Sequence, residues 1–165
     1  MIRKHKIYSR PRKPFDGPRI KEENEIRTKF GLKNKKEIWK AEAAVGKIRR
    51  EAKKLTTSSV EKQEKFLETL KRRGLKVNSI AEALGLTKDN WMNRRLQTIV
   101  SSKFNIPMKK ARQMITHKKV MIHGETVNIP SYVVFSDDED EIKLVGTYKK
   151  EKPIKAEVVE EIANE

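Results

Sequence analysis

Apolar residues recur at helical spacing through the first half of the chain. Intervals of three and four residues separate Ile38, Ala41, Val45, Ile48, Ala52 and Leu55. This spacing places side chains on one stripe of an α-helix. Asn34 precedes the stripe, and Glu37 comes three residues after Asn34, as in a capping box at a helix start. The pattern predicts a helix from Asn34 to Leu55.

Three more helices are predicted before residue 105. The first runs from Ser58 or Ser59 to Gly74, and the cations of its last turn either offset the helix dipole or contact RNA. The stretch Ser79–Gly85 reads as a short helix with a serine cap. Thr87 caps the last of the three. This helix is predicted to run without interruption through Trp91, Met92, Leu96, Ile99 and Val100.

A further helix is predicted to begin at Met108, because Pro107 breaks the preceding one. At 100° per residue, one side of this helix is apolar and the other is polar. The apolar side holds Met108, Ala111, Met114 and Ile115. The polar side holds Lys109, Lys110, Arg112, Gln113, Thr116 and His117. Acidic residues are absent from Leu96 to Gly124, so the polar side carries charge of one sign.

Short alternating segments follow this helix. VMIHGETVNIPSYVV predicts two strands about a tight turn at His123 and Gly124, with Pro130 ending the return strand. IKLVG, from Ile142 to Gly146, predicts a last strand. The fold class is therefore α+β, with a mainly helical N-terminal part and then a compact module of two helices packed on a small antiparallel sheet.

The charge of the chain is unevenly distributed. The formal net charge is +16, and the first 136 residues hold 34 basic and 13 acidic side chains. From Asp137 onward there are five Lys and ten acidic residues. A body this basic favours a polyanionic partner, of which nucleic acid is the most common. No apolar run approaches the ~20 residues of a spanning helix, and no signal segment opens the chain. The sequence thus favours a cytoplasmic protein.

The two ends of the chain read as solvated segments. Basic residues and prolines from Met1 to Gly17 predict a flexible arm in the free protein, which can order along RNA with Tyr8 or Phe15 available for stacking. SDDEDE, from Ser136 to Glu141, invites a divalent-cation site, but it lacks the spaced ligands of a calcium loop. A solvated loop is the preferred interpretation. The tail that follows is predicted to be flexible and acidic.

Several motifs resemble one known family. RRLQTIV, KKARQMITHKKVMIHG and VNIPSYVV, in this order, resemble the RNA-binding module of small-subunit ribosomal protein four. GLKNKKEIWKAEAAVGKIRREAKKL resembles the N-terminal helical part of the archaeal and eukaryotic branch of that family. The resemblance implies a structural ribosomal protein that binds folded small-subunit RNA at a helix junction early in assembly. It also implies a place near the messenger RNA entry path, beside ribosomal protein five.

The resemblance carries individual roles to this chain. RNA-facing positions fall on Arg95, Lys109 and Arg112, with His117 at the helix end, and the family's turn glycine falls on Gly124. The chain departs from the pattern at three positions: Gln97 stands where many such modules have Asp, Lys118 where a Gly commonly follows the helix, and His123 where Asn is usual. A left-handed backbone conformation at Lys118 would be more strained than the same conformation at glycine.

These observations define four segments and one set of RNA-binding candidates. The segments are 1–33 (basic arm and lead-in helix), 34–92 (helical domain), 93–146 (RNA-binding module) and 147–165 (flexible tail). The candidates are the cations and hydrogen-bonding residues of the module, the helical part and the arm. They are Arg94, Arg95, Lys109, Lys110, Arg112, Gln113, His117, Lys118, Lys119, Lys47, Arg49, Arg50, Lys53, Lys54, Arg3, Lys4, Arg10 and Arg12.

Two other function classes remain open. Similar modules occur as accessory domains of RNA-modifying enzymes and tyrosyl-transfer-RNA synthetases, but this chain lacks a phosphate loop, a convincing nucleophile and base, and cysteine. His5, His117 and His123 are too dispersed for a metal site. We therefore expect no enzyme, no cofactor and no metal. The second alternative is a free RNA chaperone or ribosome-associated factor that uses the same module.

Overall fold

The computed structural model describes residues 7–145, which form a mostly helical protein with one small sheet. The start of the arm, with Arg3 and Lys4, lies outside these residues, as do His5 and the acidic tail. The helices are α1 (Gly17–Lys29), α2 (Lys36–Leu55), α3 (Val60–Arg72), α4 (Ile80–Gly85), α5 (Lys88–Asn93), α6 (Leu96–Phe104) and α7 (Met108–Thr116). The strands are β1 (Val120–Ile122), β2 (Glu125–Thr126) and β3 (Lys143–Leu144).

Helix α2 is the central element of the N-terminal part. The predicted stripe faces inward: five of its members, from Ile38 to Ala52, are buried, and Leu55 is half-buried. Its C-terminal half packs against α3 and α4 around Leu70, Leu75 and Val77. Its N-terminal half packs against α1 and Met92 of α5. The predicted helix and its buried face are confirmed.

The start of α2 differs from the predicted capping box. The Asn34 side chain accepts a hydrogen bond from the Lys36 amide at 3.0 Å, and the helix begins at Lys36. Glu37 does not close the box. It lies instead beside Arg95, 58 residues further along the chain. At α4 the prediction is confirmed, because the Ser79 hydroxyl accepts from the Glu82 amide at 3.2 Å.

The predicted continuous helix from Thr87 to Val100 is wrong. Two helices, α5 and α6, stand there, and the chain between them is extended at Arg95. The extended segment pairs with residues 132–134: the Leu96 amide donates to the Tyr132 carbonyl at 2.8 Å, and the Val134 amide donates to the Arg94 carbonyl at 2.9 Å. These backbone bonds to a distant segment replace the helical bonds that a continuous helix would have made.

The sheet confirms the predicted turn and shortens the predicted strands. Ile122 pairs with Glu125 across a two-residue turn at His123 and Gly124, both with positive φ, which is the backbone of a type I′ hairpin. The return strand ends at Thr126 and does not reach Pro130. Strand β3 pairs with the other edge of β1, so the order is β2-β1-β3. The inward faces of α6, α7 and β1 share one core with Val134 and Ile142.

Candidate nucleic-acid interface

Helix α7 separates its two faces as the sequence predicts. Ala111, Met114 and Ile115 are buried in the core that α7 shares with α6 and β1. Lys109 and Gln113 are exposed on the opposite side. Lys110 and Arg112 are half-buried at the boundary between the faces. The spacing of apolar and polar residues in α7 is therefore sufficient to keep its charged side chains outside the core.

The turn after α7 places three polar side chains together. Lys118 has a φ of +57°, and its amide donates to the Ile115 carbonyl while the Lys119 amide donates to the Met114 carbonyl at 2.9 Å. This pair of bonds is the Schellman helix end, which normally has glycine at the left-handed position. His117, Lys118 and Lys119 are all exposed. The left-handed turn anticipated at Lys118 is therefore present.

Three lysines of this region have no acidic partner within the described structure. Across residues 7–145, Lys109, Lys118 and Lys119 form no ion pair. A protein surface of mixed charge would offset such cations with nearby carboxylates. The arrangement therefore leaves positive charge for an external anion.

Arg95 lies inside the protein. Its side chain is only 4% exposed, and its guanidinium pairs with Glu37 of α2. Burial lowers the pKa of Arg95; the Glu37 charge opposes this shift, and the charge of nearby Arg112 adds to it. Nη1 of Arg95 and Nη1 of Arg112 are both buried without a hydrogen-bond partner. The burial of Arg95 argues against the direct RNA contact that the sequence predicts for it.

Arg94 also has protein partners. Its guanidinium donates to the Glu139 carboxylate at 2.7 Å and to the Val134 carbonyl at 3.1 Å. It lies against the backbone of Gly74, where a Cβ atom would come within 2.2 Å of Cζ. Arg94 therefore connects the end of α3 to the segment that closes the module, and its exposure is too small for an open RNA-facing position.

Gln97 anchors the start of α7, which the sequence alone did not reveal. Its fully buried amide nitrogen donates to the Met108 carbonyl at 3.0 Å and to the Gly31 carbonyl at 3.3 Å. A neutral amide donates to both carbonyls, whereas the Asp common at this position would only accept. The departure from the family pattern thus has a structural use.

The cations of α2 form a second exposed group. Lys47, Arg49, Arg50, Lys53 and Lys54 are all exposed, as the stripe of α2 predicts. Three of them have protein contacts: Arg49 donates to the Leu86 carbonyl, Arg50 donates to the Gly46 carbonyl at 3.3 Å, and Lys47 lies 4.0 Å from Glu51. The remaining two, Lys53 and Lys54, are exposed on the side of α2 away from its core.

The acidic loop is attached to the module, and the interpretation of SDDEDE as a freely solvated loop is wrong in part. Asp138 lies 2.9 Å from His123 at the hairpin turn, and Glu139 pairs with Arg94. Burial and the Asp138 charge raise the pKa of Tyr132. Asp137, Asp140 and Glu141 are exposed as expected. Residues 7–145 contain no cluster of His, Asp and Glu able to hold a metal ion.

Comparison with known proteins gives a consistent result. Residues 94–140 match the S4 domain family. Small ribosomal subunit protein uS4 of Thermoplasma acidophilum is 40% identical over 93% of this chain and 80% of its own length. The uS4 proteins of Methanothermobacter thermautotrophicus and Methanococcus aeolicus are 37% and 39% identical, over 92% and 85% of this chain and 92% and 84% of their own lengths. No helix within residues 7–145 is long and apolar enough to span a membrane.

Proposed function

The chain belongs to the uS4 family of small ribosomal subunit proteins, and from this premise we propose that it binds the RNA of that subunit through the exposed cations of α7 and of the turn that ends it. It is a structural, non-enzymatic ribosomal protein. The observation that carries the proposal is the set of Lys109, Lys118 and Lys119, which are exposed and without ion pairs in the described part of the chain.

The mechanism is charge neutralisation on a rigid support. Each lysine that meets a phosphate releases condensed counterions, so binding weakens as salt rises. The buried face of α7 and the Schellman turn hold the lysines in fixed positions. A fixed spacing of cations selects RNA by the positions of its phosphates rather than by base sequence.

Three of the predicted arginines take different parts in this scheme. Arg94 and Arg95 position the module from within, because their guanidinium groups are engaged by Glu139 and Glu37. Arg112 is half-buried and forms the edge of the surface.

The exposed cations of α2 and the arm, including Arg10 and Arg12, form further contacts with RNA. The boundaries 34–92 for the helical domain and 93–146 for the module are part of the proposal.

The finer assignments also belong to the proposal. They are binding at a multi-helix junction of the small-subunit RNA, early entry into the assembling subunit, ribosomal protein five as a neighbour, and proximity to messenger RNA at its entry path. Membership of the family supports them. Crosslinking on intact small subunits, mapped to nucleotides and to neighbouring proteins, tests each one separately.

A pair of matched double variants tests the proposed surface. Lys109→Glu with Lys119→Glu reverses two exposed cations of the surface, and Lys62→Glu with Lys65→Glu reverses two exposed cations of α3. Arg112 is left unchanged, because its buried Nη1 makes its replacement a change to the interior. A filter-binding salt titration with small-subunit junction RNA measures both, with circular dichroism as a check on folding.

The two variants have the same net charge, so non-specific attraction weakens equally in both. We expect the α7 variant to lose far more affinity than the α3 variant. Its plot of log affinity against log salt should flatten by a little under ~2 units on the duplex rule, while the slope of the α3 variant stays near that of the unaltered protein. Equal losses and equal slopes would contradict the proposed surface.

A further inference from the structure

Phe15 projects its ring into solvent next to three cations. Its relative exposure is 93%, the highest of any large hydrophobic residue within residues 7–145. Ile7 is next, at 80%. Arg10, Arg12 and Lys13 stand within five residues of it and are exposed. An exposed large apolar side chain in such a setting is a candidate contact for a partner.

Tyr8, the other aromatic residue of the arm, is differently placed. Its ring packs on Trp39 of α2, with 6.3 Å between ring centroids, and Lys36 lies 5.4 Å from the ring centroid. Tyr8 therefore secures the arm to the helical part, and Phe15 is the more accessible of the two aromatics proposed for stacking. Of the two aromatics, Tyr8 is half-buried and Phe15 is 93% exposed.

The backbone that carries Phe15 is fixed on its N-terminal side. Arg19 donates to the Lys13 carbonyl at 3.0 Å and to the Pro14 carbonyl at 2.9 Å. On the other side, the Asp16 carbonyl accepts from the Ile20 amide and opens α1. The ring is thus presented from a defined turn.

The clamp formed by Arg19 is itself tied to the interior. Arg19 pairs with Glu23, which is 4% exposed and also accepts a hydrogen bond from the Trp39 indole at 3.0 Å. Lys35 approaches the same carboxylate at 3.4 Å. Through this network the position of Phe15 is coupled to the packing of α1 on α2.

We propose that Phe15 is a stacking platform for an unpaired base of the small-subunit RNA, with Arg10, Arg12 and Lys13 neutralising the phosphates on either side of that base. The inference rests on the proposed function, because it names a second point of contact for the same RNA. Aromatic rings that stack on unpaired bases beside basic residues are the usual means of holding single-stranded RNA.

The adjacent cations favour RNA over an apolar pocket of a protein. Docking Phe15 into such a pocket would take Arg12 and Lys13 out of water without supplying counter-charges. A stacked base buries the ring and brings its own phosphates to these cations. Charge complementarity therefore selects the nucleic-acid partner.

Three substitutions at Phe15 test the inference in the full chain: Phe15→Ala, Phe15→Leu and Phe15→Trp. Val60→Ala is the control, since Val60 is 67% exposed on another helix, α3. The dissociation constant for small-subunit junction RNA is measured across a salt series, and thermal melting checks stability. Fluorescence of the Phe15→Trp variant is compared with that of the unaltered protein, because Trp39 and Trp91 supply a common background.

We expect Phe15→Ala and Phe15→Leu to bind about tenfold more weakly, with salt slopes and melting temperatures unchanged. Phe15→Trp should bind as well as the unaltered protein and show additional quenching on RNA addition. Equal binding by all variants would overturn the inference, as would full binding by Phe15→Leu, which would indicate an apolar contact. Failure of the unaltered protein to bind the RNA would instead contradict the proposed function.

Discussion

The Glu37 carboxylate and the Arg95 guanidinium form an ion pair that joins the start of α2 to the extended segment between α5 and α6. Arg95 is almost completely buried, whereas Glu37 retains 23% exposure. The positive charge of nearby Arg112 acts against that of Arg95. The Glu37 carboxylate therefore compensates the buried charge of Arg95, which the neighbouring Arg112 charge would otherwise destabilise further.

Replacement of Glu37 should destabilise the fold. Glu37→Gln leaves the Arg95 charge buried without its counter-ion, at a cost of about 3 kcal/mol in the free energy of unfolding. Urea denaturation at neutral pH measures this loss. Glu51→Gln is the matched control, because the exposed pair of Glu51 with Lys47 is worth at most ~0.5 kcal/mol. Adding Arg95→Met to Glu37→Gln should restore much of the stability, and a double variant no better than the single one would refute this account.

Lys118 occupies a backbone conformation that suits glycine. With φ at +57°, its side chain crowds the backbone, so Lys118→Gly should leave stability unchanged or raise it by up to about 1 kcal/mol. The same substitution at Lys119, whose φ is not positive, should be destabilising. Thermal melting of the two variants makes the comparison. A clear loss in Lys118→Gly would show that the Lys118 side chain itself stabilises the turn.

Gly74 and Gly46 offer a test of close packing against open space. Gly74→Ala places a Cβ atom 2.2 Å from Cζ of Arg94, at a residue with a φ of +71°. We expect a loss of about 2 kcal/mol, because Arg94 must give up its bonds to Glu139 and Val134. Gly46→Ala meets nothing within 4 Å inside α2 and should stabilise the protein by about 0.5–1 kcal/mol. Urea titrations that gave both changes the same sign would contradict this reading.

Glu23 should make stability depend on acid. Burial opposes its ionisation, but hydrogen bonds from Trp39, Arg19 and Lys35 outweigh this effect and lower the pKa of Glu23 below 4.5. A carboxyl group with a lowered pKa in the folded state stabilises the protein above its unfolded pKa and loses that contribution as pH falls through its folded pKa. Glu23→Gln should therefore flatten the fall in unfolding free energy below pH 4.5. Glu22→Gln, at an exposed neighbouring site that faces Lys88, is the control variant measured over the same pH range.

The elements that the sequence predicted well are those whose signals are local. The apolar stripe of α2 and the two faces of α7 follow from spacing alone, because apolar residues at every third or fourth position lie on one side of a helix. The turn at His123 and Gly124 is also predicted from local sequence, since two turn residues between short strands specify a hairpin. The mostly helical fold with its small sheet follows from these signals together.

The elements that were missed depend on partners far along the chain. Met92, Leu96 and Ile99 keep a helical spacing, so nothing near them indicates that the helix breaks at Arg95. The break is set by backbone bonds to Tyr132 and Val134 and by the carboxylate of Glu37. Glu37 itself had a plausible local role as a capping residue. Local patterns cannot decide between a cap and a distant ion pair, and for the same reason the burial of Arg94 and Arg95 escaped prediction.

The pairing of the Arg94–Leu96 segment with residues 132–134 has a consequence for the order of folding during synthesis. Helix α2 and its contacts with α3 and α4 are complete in sequence long before residue 132 is translated. The break before α6 has no bonding partner until that later segment leaves the ribosome. At about 5–20 residues per second, this gap lasts seconds. In that interval the new chain carries a finished helical part and an open module, so its first encounter with RNA can precede completion of its own fold.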